Sequence, residues 1–217
     1  MPVSHQYGCT FVHVPKTGGT SIEYALEMRP DSKREDLRTL FGRIESSALK
    51  SRGFLTGYLQ HLTAEQIREI NPELLGHEYF SFAMVRNPWA RMVSSFTHKD
   101  PHLLREARAR GIELEKISFP DYVRQTGRLE HAHLQSQCEY VRDAKGQLLV
   151  DFVGRFESLT SDFQKVCRRL GIEKQLPAKK QSKQKMSNDY RDYYDDETRA
   201  AVASRYAQDI ECFGYNF

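Results

Sequence analysis

Residues 11–26, FVHVPKTGGTSIEYAL, join an apolar run to an amphipathic one through a short polar loop. The apolar run at 10–14 predicts a buried strand, and the apolar side chains at 20–28 recur at helical spacing. Between them, Gly18 and Gly19 permit a tight turn and a close approach of the backbone to a ligand. A strand, a glycine-rich loop and a helix in this order are typical of a phosphate-binding loop.

The side chains of the loop also suit an anion. Lys16 provides a positive charge, and hydroxyl groups come from Thr17, Thr20 and Ser21. In the loop of nucleoside triphosphatases, Gly-x-x-x-x-Gly-Lys-Ser/Thr, the lysine follows the glycines, whereas Lys16 precedes them. Glu23 lies three residues after Thr20, which is the spacing of a capping box, so we expect Glu23 to cap the helix.

Further apolar runs predict strands that alternate with helical segments along the chain; these runs are 54–59, 79–85 and 148–157. Such alternation predicts an α/β fold, a three-layer α/β/α arrangement with a central parallel sheet. No linker or repeat divides the sequence, so residues 1–217 are expected to form a single domain. The charged stretch 99–135 is expected to be a helical insertion in that domain.

A second anion-binding segment is predicted at 85–96, VRNPWARMVSSF. Asn87 has the position of a helix N-cap, which places Arg86 at the end of the preceding strand. A guanidinium there can form a fork on a phosphate, and Ser94 follows two helical turns later. Arg91 is expected to be a spare cation.

His61 lies after the strand predicted at 54–59 and before a helix that Thr63 and Gln66 begin as a capping box. A histidine near a hydroxyl group can act as a general base at neutral pH. The residues alone allow a second interpretation equally, in which His61 only packs at the start of the helix.

Composition excludes several classes of protein. A net charge of +3 over 217 residues is too small to indicate a nucleic-acid partner. No run of about 18 apolar residues is present, so no integral membrane segment is expected. The N-terminus lacks a basic region followed by a long apolar core, which favours a cytoplasmic location.

No metal site is predicted. The four cysteines are scattered without a Cys-x-x-Cys pair. His131 and His133 have neither a cysteine nor a carboxylate at ligand spacing. The oligomeric state is left open by the sequence.

At several places the sequence resembles a known family. VHVPKTGGTS (12–21) resembles the 5′-phosphosulfate loop of sulfotransferases, and FAMVRNPWARMVSSF (82–96) resembles their 3′-phosphate segment. Residues 150–172 and 206–217 are similar to the carbohydrate sulfotransferases, a family that includes heparan sulfate 2-O-sulfotransferase. The resemblance extends from about residue 10 to 217.

The resemblance implies a P-loop-like fold, the donor 3′-phosphoadenosine 5′-phosphosulfate (PAPS) and an acceptor hydroxyl, expected to belong to a glycan. Positions matching the donor's 5′ site are Lys16, Thr17, Gly18, Gly19, Thr20 and Ser21. Arg86 and Ser94 match the 3′-phosphate site, and a late loop that closes over the nucleotide matches around Lys185 and Ser187. His61 is implied to be the catalytic base, Lys16 to assist the leaving group, and Gln137 to line the acceptor cleft.

Two other functions remain open. A P-loop kinase would need a lysine after the glycines and a strand-ending carboxylate for magnesium, and Asp151 is expected inside a strand. A non-catalytic nucleotide- or glycan-binding module would bind the desulfated donor without transfer. Arginines that can meet an anionic glycan, or simply form a solvated helix, are Arg105, Arg108, Arg110, Arg124 and Arg128.

Overall fold

The computed structural model describes residues 2–30, 32–177 and 189–217. The chain divides into two compact units. The described residues of Met1–Val85 and Gln137–Lys179 form the sheet unit, and those of Arg86–Ser136 and Lys180–Phe217 form the helical unit. The prediction of one domain with an insertion at 99–135 stays a prediction.

The α-helices of the described residues are, in chain order, α1 Gly19–Ala25, α2 Ser47–Lys50, α3 Ala64–Ile70, α4 Pro88–His98, α5 Pro101–Ala109, α6 Phe119–Thr126, α7 Gln137–Val141, α8 Leu159–Leu170, α9 Asp196–Arg205 and α10 Ala207–Phe213. No helix among them combines the length and the apolar composition needed to cross a bilayer.

The sheet unit contains a four-stranded sheet in the order β1-β2-β3-β4. Its strands are β1 Val3–Ser4, β2 Cys9–Val12, β3 Phe80–Val85 and β4 Phe152–Arg155. β2, β3 and β4 pair in parallel, as predicted, whereas the two-residue β1 pairs antiparallel with β2. The predicted α/β class is therefore confirmed, with a mixed rather than purely parallel sheet.

Helical elements cover both faces of this sheet. On one face, Phe11 of β2 and Phe82 of β3 share a buried apolar cluster with Ile22 of α1 and Phe163 of α8. On the other face, the hydroxyl of Thr10 donates to the carbonyl oxygen of a 3₁₀ helix at Pro72–Leu75. Because parallel strands present their carboxyl ends at one edge, the segments following β2 and β4 emerge on the same side of the sheet.

Two strand predictions are corrected by the structure. Residues 54–59 form no strand, because the hydroxyl of Thr56 accepts from the N–H of Tyr58 at 3.0 Å and closes a local turn. β4 is shorter than the predicted 148–157, since Leu148 makes only an isolated bridge with Arg142. Asp151 consequently precedes β4 at its amino end, where its Oδ2 accepts from the N–H and hydroxyl of Ser81.

The helical unit has its own apolar core. Trp89 and Met92 of α4 pack in a buried cluster with Tyr122 of α6 and Val202 of α9. The C-terminal segment forms two helices, α9 and α10, because the chain turns at Tyr206. Tyr206 is buried there and its hydroxyl donates to the carbonyl oxygen of Leu134 at 2.9 Å.

Candidate functional site

The loop after β2 has an unusual backbone. Lys16 and Gly18 both adopt left-handed conformations, with φ of 71° and 84°. A left-handed conformation at a non-glycine residue such as Lys16 costs about 1–3 kcal/mol and is concentrated at functional sites. The hydroxyl of the fully buried Thr17 donates to the carbonyl oxygen of Val14 at 2.8 Å, so this side chain braces the loop from inside.

Three successive N–H groups of this loop have no acceptor among the residues that the structure describes. The N–H groups of Gly18, Gly19 and Thr20 donate to no acceptor within 2–30, 32–177 and 189–217, while that of Ser21 donates to the carbonyl oxygen of Gly18. The N-cap residue of α1 is Gly18, which has no side chain to cap the helix, in contrast to Thr63 at α3. Adjacent unbonded N–H groups beside a lysine suit an anion such as a phosphate.

The prediction that Glu23 caps α1 is wrong. Its side chain is buried at 2% exposure, and its Oε1 lies 2.7 Å from Nδ1 of His13 while Oε2 lies 3.3 Å from Nη1 of Arg29. Burial opposes the charged form of this carboxyl, but the neighbouring His13 and Arg29 outweigh it and lower the pKa to about 2. Glu23 is therefore a buried carboxylate, and Thr20 is exposed at the surface.

His13 was not singled out by the sequence. Its ring stacks on Phe11 with centroids 5.3 Å apart and meets the ring of His61 edge-on at 4.7 Å. It also lies over Gly19, since a Cβ atom there would come within 2.7 Å of three atoms of the ring. The sequence did contain a signal for His13, because it is a histidine within the apolar run 10–14, three residues before Lys16.

His61 ends a 3₁₀ helix, Leu59–His61, just before the capping box that Thr63 and Gln66 form as predicted. Its Nδ1 lies 3.2 Å from the carbonyl oxygen of His13. A carbonyl can only accept, so Nδ1 carries the hydrogen and Nε2 of the neutral ring holds the lone pair. The arrangement leaves Nε2 as the atom that can take up a proton.

In the helical unit, Arg86 directly follows the last residue of β3 in sequence. Asn87 caps α4 as predicted, since its Oδ1 accepts from the N–H groups of Trp89 and Ala90. Arg86 and Ser94 are both partly exposed.

The prediction that Arg91 is a spare cation is wrong. Arg91 is 2% exposed, and its Nη2 donates to the carbonyl oxygens of His133 and Gln135 at 3.3 and 2.9 Å. Its guanidinium also lies over the ring of Tyr206, 5.7 Å from the centroid. Arg91 therefore joins α4 to the segment before α7 within the helical unit.

A cavity of about 660 Å³ opens in the sheet unit beside the loop. Its lining residues are Ser21, Phe156, Glu157, Ser158, Leu159, Thr160, Ser161, Leu176 and Pro177. Asp162 holds this wall, because its Oδ2 accepts from the N–H of Arg155 at 2.8 Å and the hydroxyl of Ser158 at 2.7 Å. Burial opposes the charge of Asp162, but Lys165 and these hydrogen bonds lower its pKa.

Comparison with known proteins identifies the chain. The model of the Sulfotransferase family matches residues 1–216. The chain belongs to the sulfotransferase family. An uncharacterized protein of Archaeoglobus fulgidus is 26% identical over 98 residues, or 45% of this chain and 72% of that protein. The crystal structure of a sulfotransferase from Alicyclobacillus acidocaldarius matches with 18% identity and a TM-score of 0.47, over 99% of this chain and 98% of that one.

Membership of the family supports sulfuryl transfer as the general activity of this sulfotransferase. The remaining predicted site residues are placed as follows. Gln137 is fully buried at the start of α7 in the sheet unit, and its role toward an acceptor stays a prediction. Lys185 and Ser187 lie outside the described residues.

Two arginines considered for an anionic glycan are engaged in exposed ion pairs of the sulfotransferase. Arg108 pairs with Glu113 and Glu115, and Arg124 pairs with Asp121 and Glu197. Exposed pairs of this kind contribute little to stability and do not indicate a ligand. Within the described residues, no three His, Cys, Asp or Glu side chains gather as ligands for a metal ion.

Proposed function

We propose that this sulfotransferase moves the sulfuryl group of PAPS to the hydroxyl of a carbohydrate, with His61 as the general base. The observation that carries the proposal is the run of N–H groups at Gly18–Thr20, which find no acceptor in the described part of the chain, next to Lys16. The bound donor supplies an activated sulfuryl group and a stable nucleotide leaving group.

The loop after β2 is assigned to the 5′ end of the donor. The N–H groups of Gly18, Gly19 and Thr20 and the hydroxyl of Ser21 are donors for its anionic oxygens. Thr17 acts through the backbone, since its hydroxyl is bonded to Val14. Lys16 is assigned to the negative charge that grows on the leaving group as the bond to sulfur breaks.

The 3′-phosphate is assigned to the helical unit. Arg86 offers a guanidinium fork and Ser94 a hydroxyl. Lys185 and Ser187 are assigned to the same nucleotide by the family resemblance alone. The cavity beside Ser21 has a volume within the range of small-ligand sites, about 300–1,000 Å³, which gives room for part of the nucleotide.

His61 is assigned to the proton of the attacking hydroxyl. Because Nδ1 is bonded to the carbonyl of His13, Nε2 is the basic nitrogen of the neutral ring. The carbohydrate acceptor, Gln137 as one of its contacts and the cytoplasmic location are parts of this proposal that rest on the sequence.

Calorimetry with adenosine 3′,5′-bisphosphate, the desulfated donor, tests the nucleotide assignments. We expect the wild type to bind, and Lys16→Ala and Arg86→Ala to bind about 10- to 100-fold more weakly, since each loses hydrogen bonds from a charged group. Arg52→Ala is the matched control, because this exposed arginine pairs only with Glu69 among the contacts described. Absence of binding by the wild type would sink the donor assignment.

Transfer of labelled sulfate from PAPS to a panel of glycans and simple alcohols tests the reaction. His61→Ala should bind adenosine 3′,5′-bisphosphate normally but transfer sulfate about 10²- to 10⁴-fold more slowly, the usual contribution of a general base. His77→Ala, which changes an exposed histidine, is the control. Unchanged transfer by His61→Ala would refute the base, and donor binding without transfer to any acceptor would favour a binding module.

A further inference from the structure

We propose that His13 and Glu23 are positioning residues, a buried pair that holds the ring of His61 and seats the loop at Gly19. The inference rests on the proposed role of His61 as the base. Neither residue is assigned to the donor or the acceptor.

The carboxylate of Glu23 has little freedom to rotate. Glu23 is 2% exposed, and each of its oxygens meets a nitrogen, Nδ1 of His13 at Oε1 and Nη1 of Arg29 at Oε2. A buried, charged carboxylate of this kind is a rigid acceptor.

That carboxylate fixes the ring of His13. Since Oε1 of Glu23 accepts from Nδ1, rotation of the ring would break a charge-assisted hydrogen bond of 2.7 Å. One face of the ring is stacked on Phe11. The edge that carries Nε2 is thereby held over Gly19, within the loop.

His13 in turn contacts the proposed base at two points. Its carbonyl oxygen accepts from Nδ1 of His61, and its ring lies edge-on to the ring of His61. The first contact determines which nitrogen of His61 is protonated, and the second limits its rotation. His13 therefore contacts both Gly19 of the loop after β2 and the proposed base, His61.

Stability alone does not account for this pair. Buried ion pairs are often no more stable than an apolar replacement of the same volume, because both charges lose their hydration. A carboxylate on the helix that follows an anion loop also opposes an anion electrostatically. Glu23 is tolerated because His13 bonds to one of its oxygens and the charge of Arg29 lies beside the other, and positioning explains why it is there.

Long-range nitrogen–proton NMR of the histidine rings tests the proposal. In the wild-type protein with a neutral His61 ring, Nδ1 should show the chemical shift of a protonated nitrogen and Nε2 that of an unprotonated one. Loss of His13's ring or of Glu23's acceptor leaves the backbone carbonyl of residue 13 in place but removes the edge-on contact that limits rotation of His61. A freer ring should make the hydrogen bond from Nδ1 less often, so His61 should shift toward the mixed tautomers of a solvated imidazole. A comparison with His61→Ala assigns the signals.

The variants separate positioning from folding. His13→Asn keeps an N–H donor for Glu23 near the position of Nδ1 but removes the ring edge over Gly19. Glu23→Ala removes the acceptor, whereas Glu23→Gln keeps an oxygen for Nδ1 and should preserve the wild-type signature of His61. Glu27→Ala, at an exposed carboxylate paired with Lys174, is the control and should also preserve it.

The expected result is a changed His61 tautomer in His13→Asn and Glu23→Ala, with weaker binding of adenosine 3′,5′-bisphosphate. Where an acceptor has been identified, transfer should fall by about 100-fold, the effect of misplacing a reacting group by about 1 Å. If Glu23→Ala does not fold, His13→Asn carries the test.

Folded His13→Asn with the wild-type His61 signature and wild-type affinity would overturn the proposal. Its failure differs from failure of the proposed function. In the latter case the wild type would not bind adenosine 3′,5′-bisphosphate at all, whatever the tautomer of His61.

Discussion

Replacement of Gly19 by alanine probes the close packing between His13 and the loop after β2. A methyl group there would lie within 2.7 Å of three ring atoms of His13. The ring cannot retreat cheaply, because Nδ1 is bonded to Glu23 and one face rests on Phe11. The backbone of Gly19 is not left-handed, so the cost arises from contact with the ring alone.

Two bounds follow for the loss of stability. If the ring shifts slightly and stays paired, overpacking costs about 1–3 kcal/mol. If the ring is expelled, Glu23 loses its main partner while still buried, which costs about 3–5 kcal/mol. We therefore expect Gly19→Ala to be less stable by about 1–5 kcal/mol, and to bind adenosine 3′,5′-bisphosphate more weakly.

Urea unfolding followed by circular dichroism measures the first effect, and calorimetry the second. Gly57→Ala is the matched control, because a Cβ there meets no atom within 4 Å and φ is not positive. It should lie within about 0.5 kcal/mol of the wild type. Gly53→Ala, also without a neighbour but with φ of 67°, should show backbone strain alone, about 1–2 kcal/mol. Equal stability of Gly19→Ala and Gly57→Ala would refute the position of His13 over the loop.

Three further predictions concern buried polar groups. The pKa of Glu23 is about 2 against an ordinary 4.5, so the charged carboxylate contributes about 3 kcal/mol to folding stability. This contribution is complete above pH 4.5 and is lost as the pH falls toward 2. The difference in urea stability between wild type and Glu23→Gln should therefore shrink over that range, and a constant difference would contradict this. Arg91→Met should destabilise the protein by about 1.5–3 kcal/mol, because a charged donor to two carbonyls is lost, yet leave the affinity for adenosine 3′,5′-bisphosphate unchanged; a large loss of affinity with intact folding would restore Arg91 as a ligand. Asp162→Ala should cost about 1–3 kcal/mol by leaving the N–H of Arg155 without its acceptor, and thermal unfolding showing no change would exclude that role.

Features decided by neighbouring residues were predictable from the sequence. The caps at Thr63 and Asn87 formed as expected, because each is satisfied within three residues of the chain. The apolar run at 79–85 became β3, since six consecutive residues of it suit a buried strand. The end of α8 at the left-handed Gly171 is equally local.

Features decided by distant residues were not predictable. Glu23 had the spacing of a cap, but a histidine across the loop offered a stronger, charge-assisted partner. Arg91 was expected to be a spare cation, and only the folded helical unit brings two carbonyls to it. At 54–59 the turn made by Thr56 prevailed over the apolar run. His13 was missed because its contacts with Gly19 and His61 exist only after the strand, the loop and the 3₁₀ helix have packed.

The side chains that pack on Gly18 determine when the loop can reach its final packing during synthesis of the chain. A Cβ on Gly18 would lie 2.9 Å from Leu159 and 3.2 Å from Phe156, so the start of α8 packs directly on the loop. During synthesis the loop leaves the ribosome about 140 residues before these side chains do, and a contact so distant in sequence closes late. A nascent chain that ends before Leu159 contains the whole loop sequence but lacks the side chains that pack on Gly18. We therefore expect the proposed anion binding to be acquired only once β4 and α8 have been made.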